Sequence, residues 1–402
     1  MDLKQKNPRY SFEGFPRVLF FLSYFSVIFG TYIFQLVNGW MYLGDQIIDF
    51  GDLKYVLDRA DCSMEIGRLV FENSHSNPVC NDYIYGYPLL KFFNYLNISG
   101  QDYVVSGIVF MIVFSLIASL FMTYSSKLSK KILILVCLFS PPITLLIQRA
   151  NIDTFIWLSI ILSVFLLRRN LSYVAIIIIY LISSFKFYPS TLLLYFIFFL
   201  KSKWKRLTLF PLFILVLASM TYDLSKIAKL PWDARNMFGN IIWGEYFVYA
   251  INGSNSHVNY ALGTTIGIFF LALPILMILK NQRISNQLKF KAESDNLFWC
   301  KNLFYVNGIV FFSCYFMGLS VDYRLIYLAV PIYCSIELCD LKPTLRVTMI
   351  VLLICSLYAS YNVGVLQVFG DVAILLLTAV LFSIFIKNFA SLKSYLTASE
   401  EF

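Results

Sequence analysis

Apolar residues form long runs along nearly the whole chain, separated by shorter polar segments. Many of these runs approach or exceed the roughly 18 to 20 residues that a helix needs to cross a bilayer. Helices satisfy their backbone hydrogen bonds internally, so the pattern predicts an all-α polytopic membrane protein. The twelve predicted spans lie near residues 18–38, 103–124, 131–147, 152–167, 171–185, 188–200, 207–222, 260–280, 303–319, 325–339, 347–364 and 368–386.

Two of the polar segments are long, at residues 39–102 and 223–259. From Asp52 onward the first segment has apolar residues at helical spacing, namely Leu53, Val56, Leu57, Ala60 and Met64. This pattern predicts an amphipathic helix suited to lying on a membrane surface. The second segment mixes the Pro231–Trp232 pair with the turn-forming run 252–256. No linker or internal repeat divides the sequence, so residues 1–402 are interpreted as one transmembrane domain.

Composition and charge agree with this interpretation. The chain is 59% hydrophobic and 14% charged, whereas about a quarter of a soluble domain is charged. Twelve spans put both termini on one side, and that side receives 22 of the 32 Lys and Arg residues. The positive-inside rule then predicts cytoplasmic termini and external long segments. Topology accounts for the net charge of +9, so no nucleic-acid partner is predicted.

Carboxylates crowd the first external segment, which holds 9 of the 23 acidic residues. A carboxylate at the membrane edge can act as a general base, and the candidates are Asp52, Asp49 and Asp45. Each has a plainer alternative as a solvated loop charge, and Asp52 is also a natural helix N-cap. The three are close enough in sequence for a glycosidase pair, although a glycosidase needs neither twelve spans nor nearby cations.

Three cations lie between predicted spans near the external boundary: Arg149, Lys186 and Arg324. An unpaired charge there costs several kcal/mol, so each is expected to reach the interface, to pair with Asp153 or Asp322, or to bind a ligand. Together the three could neutralise a phosphate group, for which arginine offers a fork of donors.

Cysteine and histidine usage restricts the metal chemistry. Cys62 and Cys80 are the two external cysteines, and they either form a disulfide or remain free. The cysteine spacings match no zinc motif, and two histidines cannot form a His-rich metal site. No metal ligand is therefore assigned, although the carboxylates could hold Mg²⁺ or Mn²⁺.

Short motifs recur in a characteristic order along the chain. They are 52–55 (Asp-Leu-Lys-Tyr), Gly67, 85–89 (Tyr-Gly-Tyr-Pro-Leu), 148–153 (Gln-Arg-Ala-Asn-Ile-Asp), 186–189 (Lys-Phe-Tyr-Pro) and 322–324 (Asp-Tyr-Arg). With its predicted topology, the chain resembles the GT-C superfamily of integral membrane glycosyltransferases, and most closely the family 87 enzymes that use polyprenol-phosphate sugars. It departs from that pattern in having Tyr-Pro-Leu for Tyr-Pro-Pro, and Arg-Ala-Asn where Gly-Asn or Gly-Gln is common.

The resemblance implies a GT-C-like bundle of about 12 helices that transfers a sugar from a polyprenyl-phosphate donor to a lipid-linked glycan or glycolipid acceptor. The reaction would take place at the external face and invert the anomeric configuration of the sugar. Asp52 best matches the position of the family's catalytic base. Arg149, Lys186 and Arg324 would bind the donor phosphate. Membrane lipids surround the enzyme, and a bacterial inner membrane with a periplasmic site is expected. Further substrate contacts are expected at Tyr85, Tyr87, Gln148, Asn151, Tyr188, Asp322, Tyr323 and His257.

Two rival classes share parts of this pattern. A flippase or transporter is also polytopic, but it places ionisable groups at mid-membrane, where this sequence has few. A surface-polysaccharide polymerase shares the lipid-phosphate leaving group, but it normally has its large external loop late in the chain. The product would separate the three classes. A purified protein would release polyprenyl phosphate, release polyprenyl pyrophosphate, or move the intact lipid-linked sugar.

Overall fold

The computed structural model describes residues 14–38, 50–67, 70, 85–124, 128–169, 171–199, 207, 209–219, 237–238, 260–291, 298–316, 320–359 and 365–398. This part of the chain is almost entirely helical. The helices are α1 Gly14–Asn38, α2 Gly51–Ile66, α3 Tyr87–Tyr95, α4 Tyr103–Tyr124, α5 Leu128–Leu138, α6 Pro141–Gln148, α7 Ile152–Arg168, α8 Ser172–Phe185, α9 Ser190–Phe199, α10 Leu209–Ser219, α11 Tyr260–Lys280, α12 Gln282–Gln287, α13 Phe298–Phe316, α14 Ile326–Leu338, α15 Pro343–Tyr358 and α16 Val365–Ala398. Short 3-10 turns cover Gly100–Asp102 and Asp322–Leu325, and the strands β1 Met237–Phe238 and β2 Ser320–Val321 form a pair.

Several helices have the length and apolar character of membrane spans. Within the described ranges, three segments are long enough to cross a bilayer, at Arg17–Asn38, Gly100–Thr123 and Val365–Phe389. Helices α5 and α6 together would make a fourth span, with a bend of 56° between them. Six further apolar helices are shorter, with 10 to 17 residues each. These features are those of a multi-pass membrane protein, while the count of twelve spans stays a prediction.

The predicted span at 131–147 is broken for a local reason. Pro141 and Pro142 occupy the first helical positions of α6. Proline disfavours a helical conformation in the residue before it and cannot donate a backbone hydrogen bond. Ser140 accordingly has an extended backbone, and the chain changes direction there.

Helices α1 and α4 pack against each other and leave large apolar side chains uncovered. Phe20 and Phe34 on α1 and Val105 on α4 are all more than half exposed. Apolar surface of this extent is unfavourable in water and needs a partner or a membrane to cover it. The acyl chains of a bilayer would provide that cover.

The segment predicted as an amphipathic surface helix is helical and forms α2, while its position on the external membrane surface stays a prediction. Its apolar residues Leu53, Val56, Leu57 and Ala60 are completely buried. They pack on α3, on the turn Gly100–Asp102 and on α4, whereas Met64, the last residue of the pattern, is 65% exposed. The apolar face that the sequence pattern assigned to a membrane surface is therefore covered mainly by protein. Helical spacing identifies such a face but cannot tell which apolar surface covers it.

Backbone contacts fix the start of α2 beside α6. The amide of Phe50 donates to the carbonyl of Gln148 at 2.7 Å, and the amide of Leu53 donates to the carbonyl of Arg149 at 3.3 Å. The ring of Phe50 packs directly against Gly107, where an added Cβ would lie 2.3 Å from the ring. The beginning of α2 is thus held against the turn that follows α6.

The cysteines of the described part fall into two groups. Cys62, on α2, is disulfide-bonded. The thiols of Cys137, Cys300, Cys314, Cys334, Cys339 and Cys355 are free. Cys80, the second external cysteine of the sequence prediction, lies outside the described residues.

The strand pair brings two distant segments together. Met237 pairs with Val321 and Phe238 with Ser320, in antiparallel register. Residues 237–238 belong to the second predicted external segment, and residues 320–321 directly precede the turn that carries Arg324. Part of the second long segment therefore lies beside that turn.

We expect Gly86→Ala to destabilise the fold. The Gly86 amide donates to the Phe185 carbonyl at 2.9 Å, and an added Cβ would lie 2.1 Å from the backbone oxygen of Ser184. Backbone must move to admit it, at a cost of about 1–3 kcal/mol for such overpacking. Thermal unfolding in detergent measures the loss. Gly30→Ala is the matched control, since nothing lies within 4 Å of its Cβ position. Equal melting temperatures for the two variants would contradict the prediction.

Candidate functional site

Four segments that are far apart in sequence meet at one cluster of charged residues. They are the start of α2, the turn between α6 and α7, the segment between α8 and α9, and the 3-10 turn before α14. They contribute the carboxylates Asp52 and Asp153 and the cations Arg149, Lys186 and Arg324. We call these five residues the ion cluster.

Asp153 is the centre of the ion cluster and is fully buried. Lys186 Nζ lies 2.7 Å from its Oδ1, and Arg324 Nε lies 3.0 Å from its Oδ2. The Tyr188 hydroxyl also donates to Oδ1. A buried carboxylate persists only when it is paired and hydrogen-bonded, and its place in the first turn of α7 adds the favourable helix dipole. Asp153 therefore holds three segments together.

Asp52 forms the second half of the ion cluster. Its Oδ1 lies 2.5 Å from Arg149 Nη2, and its Oδ2 accepts a hydrogen bond from Asn151 Nδ2. Asp52 is not the N-cap of α2, because Phe50 occupies that position in a left-handed conformation without a side-chain cap bond. The Asp52 carboxylate is directed to the ion cluster instead.

Asn151 connects the two halves. Its Oδ1 accepts from the Asp153 amide at 2.9 Å, which caps α7, and from Lys186 Nζ at 3.4 Å. Its Nδ2 donates to Asp52. Both polar atoms of the amide are used, so its orientation is fixed by its neighbours. The two carboxylates thus belong to one hydrogen-bond network.

Tyrosines surround the cations. Lys186 Nζ lies 4.4 Å from the centre of the Tyr85 ring, and Arg324 Cζ lies 5.1 Å from that of Tyr188. Such contacts favour a cation over the ring face. The hydroxyl of Tyr327 donates to the Asp153 carbonyl at 3.2 Å and lies 3.3 Å from that of Tyr188. These rings shield the buried side of the ion cluster from water.

Most of the described residues that the sequence assigned to the site are indeed close together. The cluster and its contacts include Asp52, Tyr85, Arg149, Asn151, Lys186, Tyr188 and Arg324. Sequence reasoning treated Asp153 only as one alternative partner for a cation, and it missed Tyr327. The position of Tyr327, three residues after Arg324, was an available signal because such residues share a helix face.

The remaining assigned residues are placed as follows. Gln148 is buried, and its carbonyl accepts from Phe50. Tyr87 begins α3, with its ring 5.4 Å from Lys91 Nζ. Asp322 and Tyr323 lie in the 3-10 turn, and only the backbone of these two residues is described. Asp49, Asp45 and His257 lie outside the described residues.

The ion cluster carries an excess of positive charge, since its three cations face two carboxylates. The exposed fraction of the side chain falls from 41% for Arg149 to 18% for Arg324 and 5% for Lys186. Burial lowers the pKa of Lys186 to about 8, against the opposite effect of Asp153. Burial also raises the pKa of Asp52, although Arg149 and Asn151 act to lower it. The site can accept an anion from its open side and a proton at Asp52.

The described residues of this region do not provide a set of ligands for a metal ion. Across the described ranges, no three His, Cys, Asp or Glu side chains come together in a way that could hold an ion. Both oxygens of Asp52 are already engaged, by Arg149 and by Asn151. In this arrangement, nitrogen donors surround the Asp52 carboxylate.

The ion cluster exists only in the folded chain. Its residues come from segments separated by as many as 272 positions, from Asp52 to Arg324, so the fold is needed to assemble it. The chain matches no protein-family model, no curated protein and no solved structure.

Proposed function

We propose that this chain is a membrane glycosyltransferase that moves a sugar from a polyprenyl-phosphate donor to a lipid-linked glycan or glycolipid acceptor. The observation that carries the proposal is the placement of Asp52 within one network with three cations, beside apolar helices. The proposed architecture is a GT-C-like bundle of about twelve spans, with the ion cluster at the external face of a bacterial inner membrane. Asp52 is the proposed base.

The proposed chemistry assigns one role to each sign of charge. The acceptor hydroxyl attacks the anomeric carbon of the donor sugar, and the lipid phosphate departs. Asp52 takes the hydroxyl proton as the new bond forms, a contribution of about 10²–10⁴ in rate. Cations at the open side stabilise the charge that develops on the phosphate. A single displacement of this kind inverts the anomeric configuration.

An apolar cavity supports a lipid-borne donor. Two of its lining residues are close in sequence to members of the ion cluster: Ile326 lies two positions after Arg324, and Trp157 lies about one helical turn after Asp153. From there it extends along α14 to Cys334, and its lining consists mainly of aliphatic and aromatic side chains. A hydrocarbon chain attached to a phosphate at the ion cluster would meet apolar surface there.

The direct test supplies purified protein in lipid nanodiscs with a polyprenyl-phosphate sugar labelled in the sugar, together with a glycolipid acceptor. We expect release of polyprenyl phosphate and a labelled acceptor in which the anomeric configuration of the sugar is inverted. Release of polyprenyl pyrophosphate, from a polyprenyl-diphosphate donor alone, would favour a polymerase. Transfer of intact lipid between leaflets without cleavage would favour a flippase. Either of these outcomes would replace the proposal.

We expect donor affinity to fall as the pH rises above about 8. The donor phosphodiester stays a monoanion, whereas Lys186, with a pKa of about 8, loses its charge. Loss of one of the three positive charges of the ion cluster should weaken binding of the anionic donor by about tenfold, equivalent to about 1.4 kcal/mol. Binding of a fluorescent donor at pH 7 and pH 9.5 measures the effect.

The pH dependence of folding stability and the Lys186→Met variant distinguish this effect from unfolding. The folded pKa of Lys186 lies below its ordinary value of 10.5, so between those values the unfolded chain binds more protons. Titration of Lys186 therefore makes folding more favourable as the pH rises, while donor binding weakens. Lys186→Met should bind weakly at both pH values. An unchanged pH dependence in that variant would exclude Lys186 as the cause.

A further inference from the structure

We propose that Arg149 moves from Asp52 to the donor phosphate when the donor binds, so that Asp52 becomes available as a base only in the occupied site. This inference rests on the proposed function and adds a mechanism that couples donor binding to catalysis. It assigns Arg149 two successive partners. The three cations are held very differently, and so are the two oxygens of Asp52.

Arg149 is the cation that can change partners most easily. Its side chain is 41% exposed and pairs with Asp52 at the open side of the ion cluster. Lys186 and Arg324 share the fully buried Asp153 instead, and both also face tyrosine rings. Arg149 is the solvent-exposed partner of a pair whose Asp52 side chain is 12% exposed, so its exchange costs less than breaking the pairs of the fully buried Asp153. An arriving phosphate therefore competes first for Arg149.

The two oxygens of Asp52 are held by different partners. Oδ2 accepts from Asn151 Nδ2, and Asn151 is fixed by the Asp153 amide and by Lys186. Oδ1 contacts Arg149, which comes from the open side. Departure of Arg149 would thus expose Oδ1 while Oδ2 keeps the carboxylate in place. The oxygen that becomes free is the one nearest to where a substrate enters.

The exchange also changes the basicity of Asp52. The charged groups that act on it from neighbouring elements are Arg149, from the turn after α6, and Lys186, from the segment after α8. Burial opposes the charged form of Asp52, and Arg149 favours it. When Arg149 neutralises the phosphate instead, the carboxylate attracts a proton more strongly. Donor binding would thus strengthen the base and also uncover it.

The transfer step then balances as follows. The acceptor oxygen forms a bond to the anomeric carbon and releases its proton to Oδ1 of Asp52. The bond from the anomeric carbon to the phosphate oxygen breaks, and its electron pair stays on the phosphate. Arg149 and Arg324 are the cations that can approach that oxygen, since both are partly exposed. Departure of the lipid phosphate lets Arg149 return to Asp52.

The first test compares pH profiles. The profile of kcat/KM reports the free enzyme and that of kcat reports the donor complex. The wild type should show a pKa for the base that is at least one unit higher in kcat than in kcat/KM. In Arg149→Gln, the pKa of the base in the kcat/KM profile should rise until it equals the pKa in the kcat profile. The KM for the donor should rise by about tenfold or more. Coincident pKa values in the wild type would overturn the exchange.

The second test does not depend on turnover. Difference infrared spectroscopy of the protein in nanodiscs, with and without added polyprenyl phosphate, follows the carboxylate band of Asp52. The band should shift on binding, and the shift should disappear in both Asp52→Asn and Arg149→Gln. Lys54→Gln, which removes an exposed ion pair with Asp58 on the same helix, should leave the shift intact.

The two proposals fail in different ways. If no sugar is transferred but the Asp52 band shifts, the partner exchange stands and the glycosyltransferase proposal fails. If sugar is transferred while the band and both pKa values stay constant, the function stands and Arg149 does not exchange. A shift that survives in Arg149→Gln would also overturn the exchange, because the band would then respond to a different contact.

Discussion

Asp52→Asn is expected to lower turnover by a hundredfold or more while the protein still folds and binds donor. The substitution keeps the size of the side chain but removes its basicity, and loss of a general base typically costs about 10²–10⁴ in rate. Asparagine keeps an acceptor oxygen for Arg149 or for Asn151, but its NH2 group replaces the second oxygen and cannot accept from the other partner. Arg149 then has a weaker partner, so donor affinity should be unchanged or higher. Single-turnover rates with a labelled donor measure the effect.

The matched control is Asp58→Asn, on the same helix. Asp58 pairs with Lys54 at 2.7 Å near the surface, and such a pair contributes only about 0.3–0.5 kcal/mol. Its turnover should therefore stay close to that of the wild type at equal expression. Normal turnover in Asp52→Asn, with collapse in Asp49→Asn or Asp45→Asn, would move the base upstream. Normal turnover in all three would refute the enzyme proposal.

Local patterns in the sequence predicted the features that depend on local physics. Helical spacing from Leu53 to Ala60 identified α2, because backbone periodicity alone decides which residues share a face. The long apolar runs likewise indicated the helices at Arg17–Asn38 and Val365–Phe389. Pro141 and Pro142 indicate a break in the helix, but the span at 131–147 was predicted from its apolar residues alone.

Long-range contacts set the features that the sequence left open. The three cations were expected either to pair or to bind phosphate, and each of them pairs with a carboxylate in the described site. Which carboxylate serves which cation depends on how α2, α7 and α8 pack, and periodicity carries no information about that. The same limit explains why Asp153 was treated as a neighbour and not as the centre of the site.

The sign of the charges and their positions in the sequence nevertheless predicted most residues of the ion cluster. A cation at a predicted membrane boundary is costly, so its presence in the sequence already indicates a nearby anion. Lys186 and Arg324 lie 138 positions apart, yet both were assigned to one site, and both contact Asp153. Tyr327 carries no charge, and the energetic argument therefore gave no reason to select it.

The largest loss of stability is expected for Asp153→Asn. The variant leaves Lys186 and Arg324 with a neutral partner in a buried site, and breaking a buried ion pair on one side costs about 3–5 kcal/mol. Thermal unfolding in detergent measures the loss. Glu337→Gln is the matched control, because its pair with Lys130 is about one-fifth exposed on each side. That variant should lose less stability.

Two further measurements show whether unpaired charge is the cause. Asp153→Asn combined with Lys186→Met removes one of the stranded cations, so it should be more stable than Asp153→Asn alone. Added polyprenyl phosphate should raise the melting temperature of Asp153→Asn more than that of Glu337→Gln, because a bound anion stabilises the folded state by mass action. If the double variant melts lower than Asp153→Asn, the carboxylate acts through packing and hydrogen bonds and not through its charge. Asp153 is then a structural residue whose negative charge is not needed to hold Lys186 and Arg324.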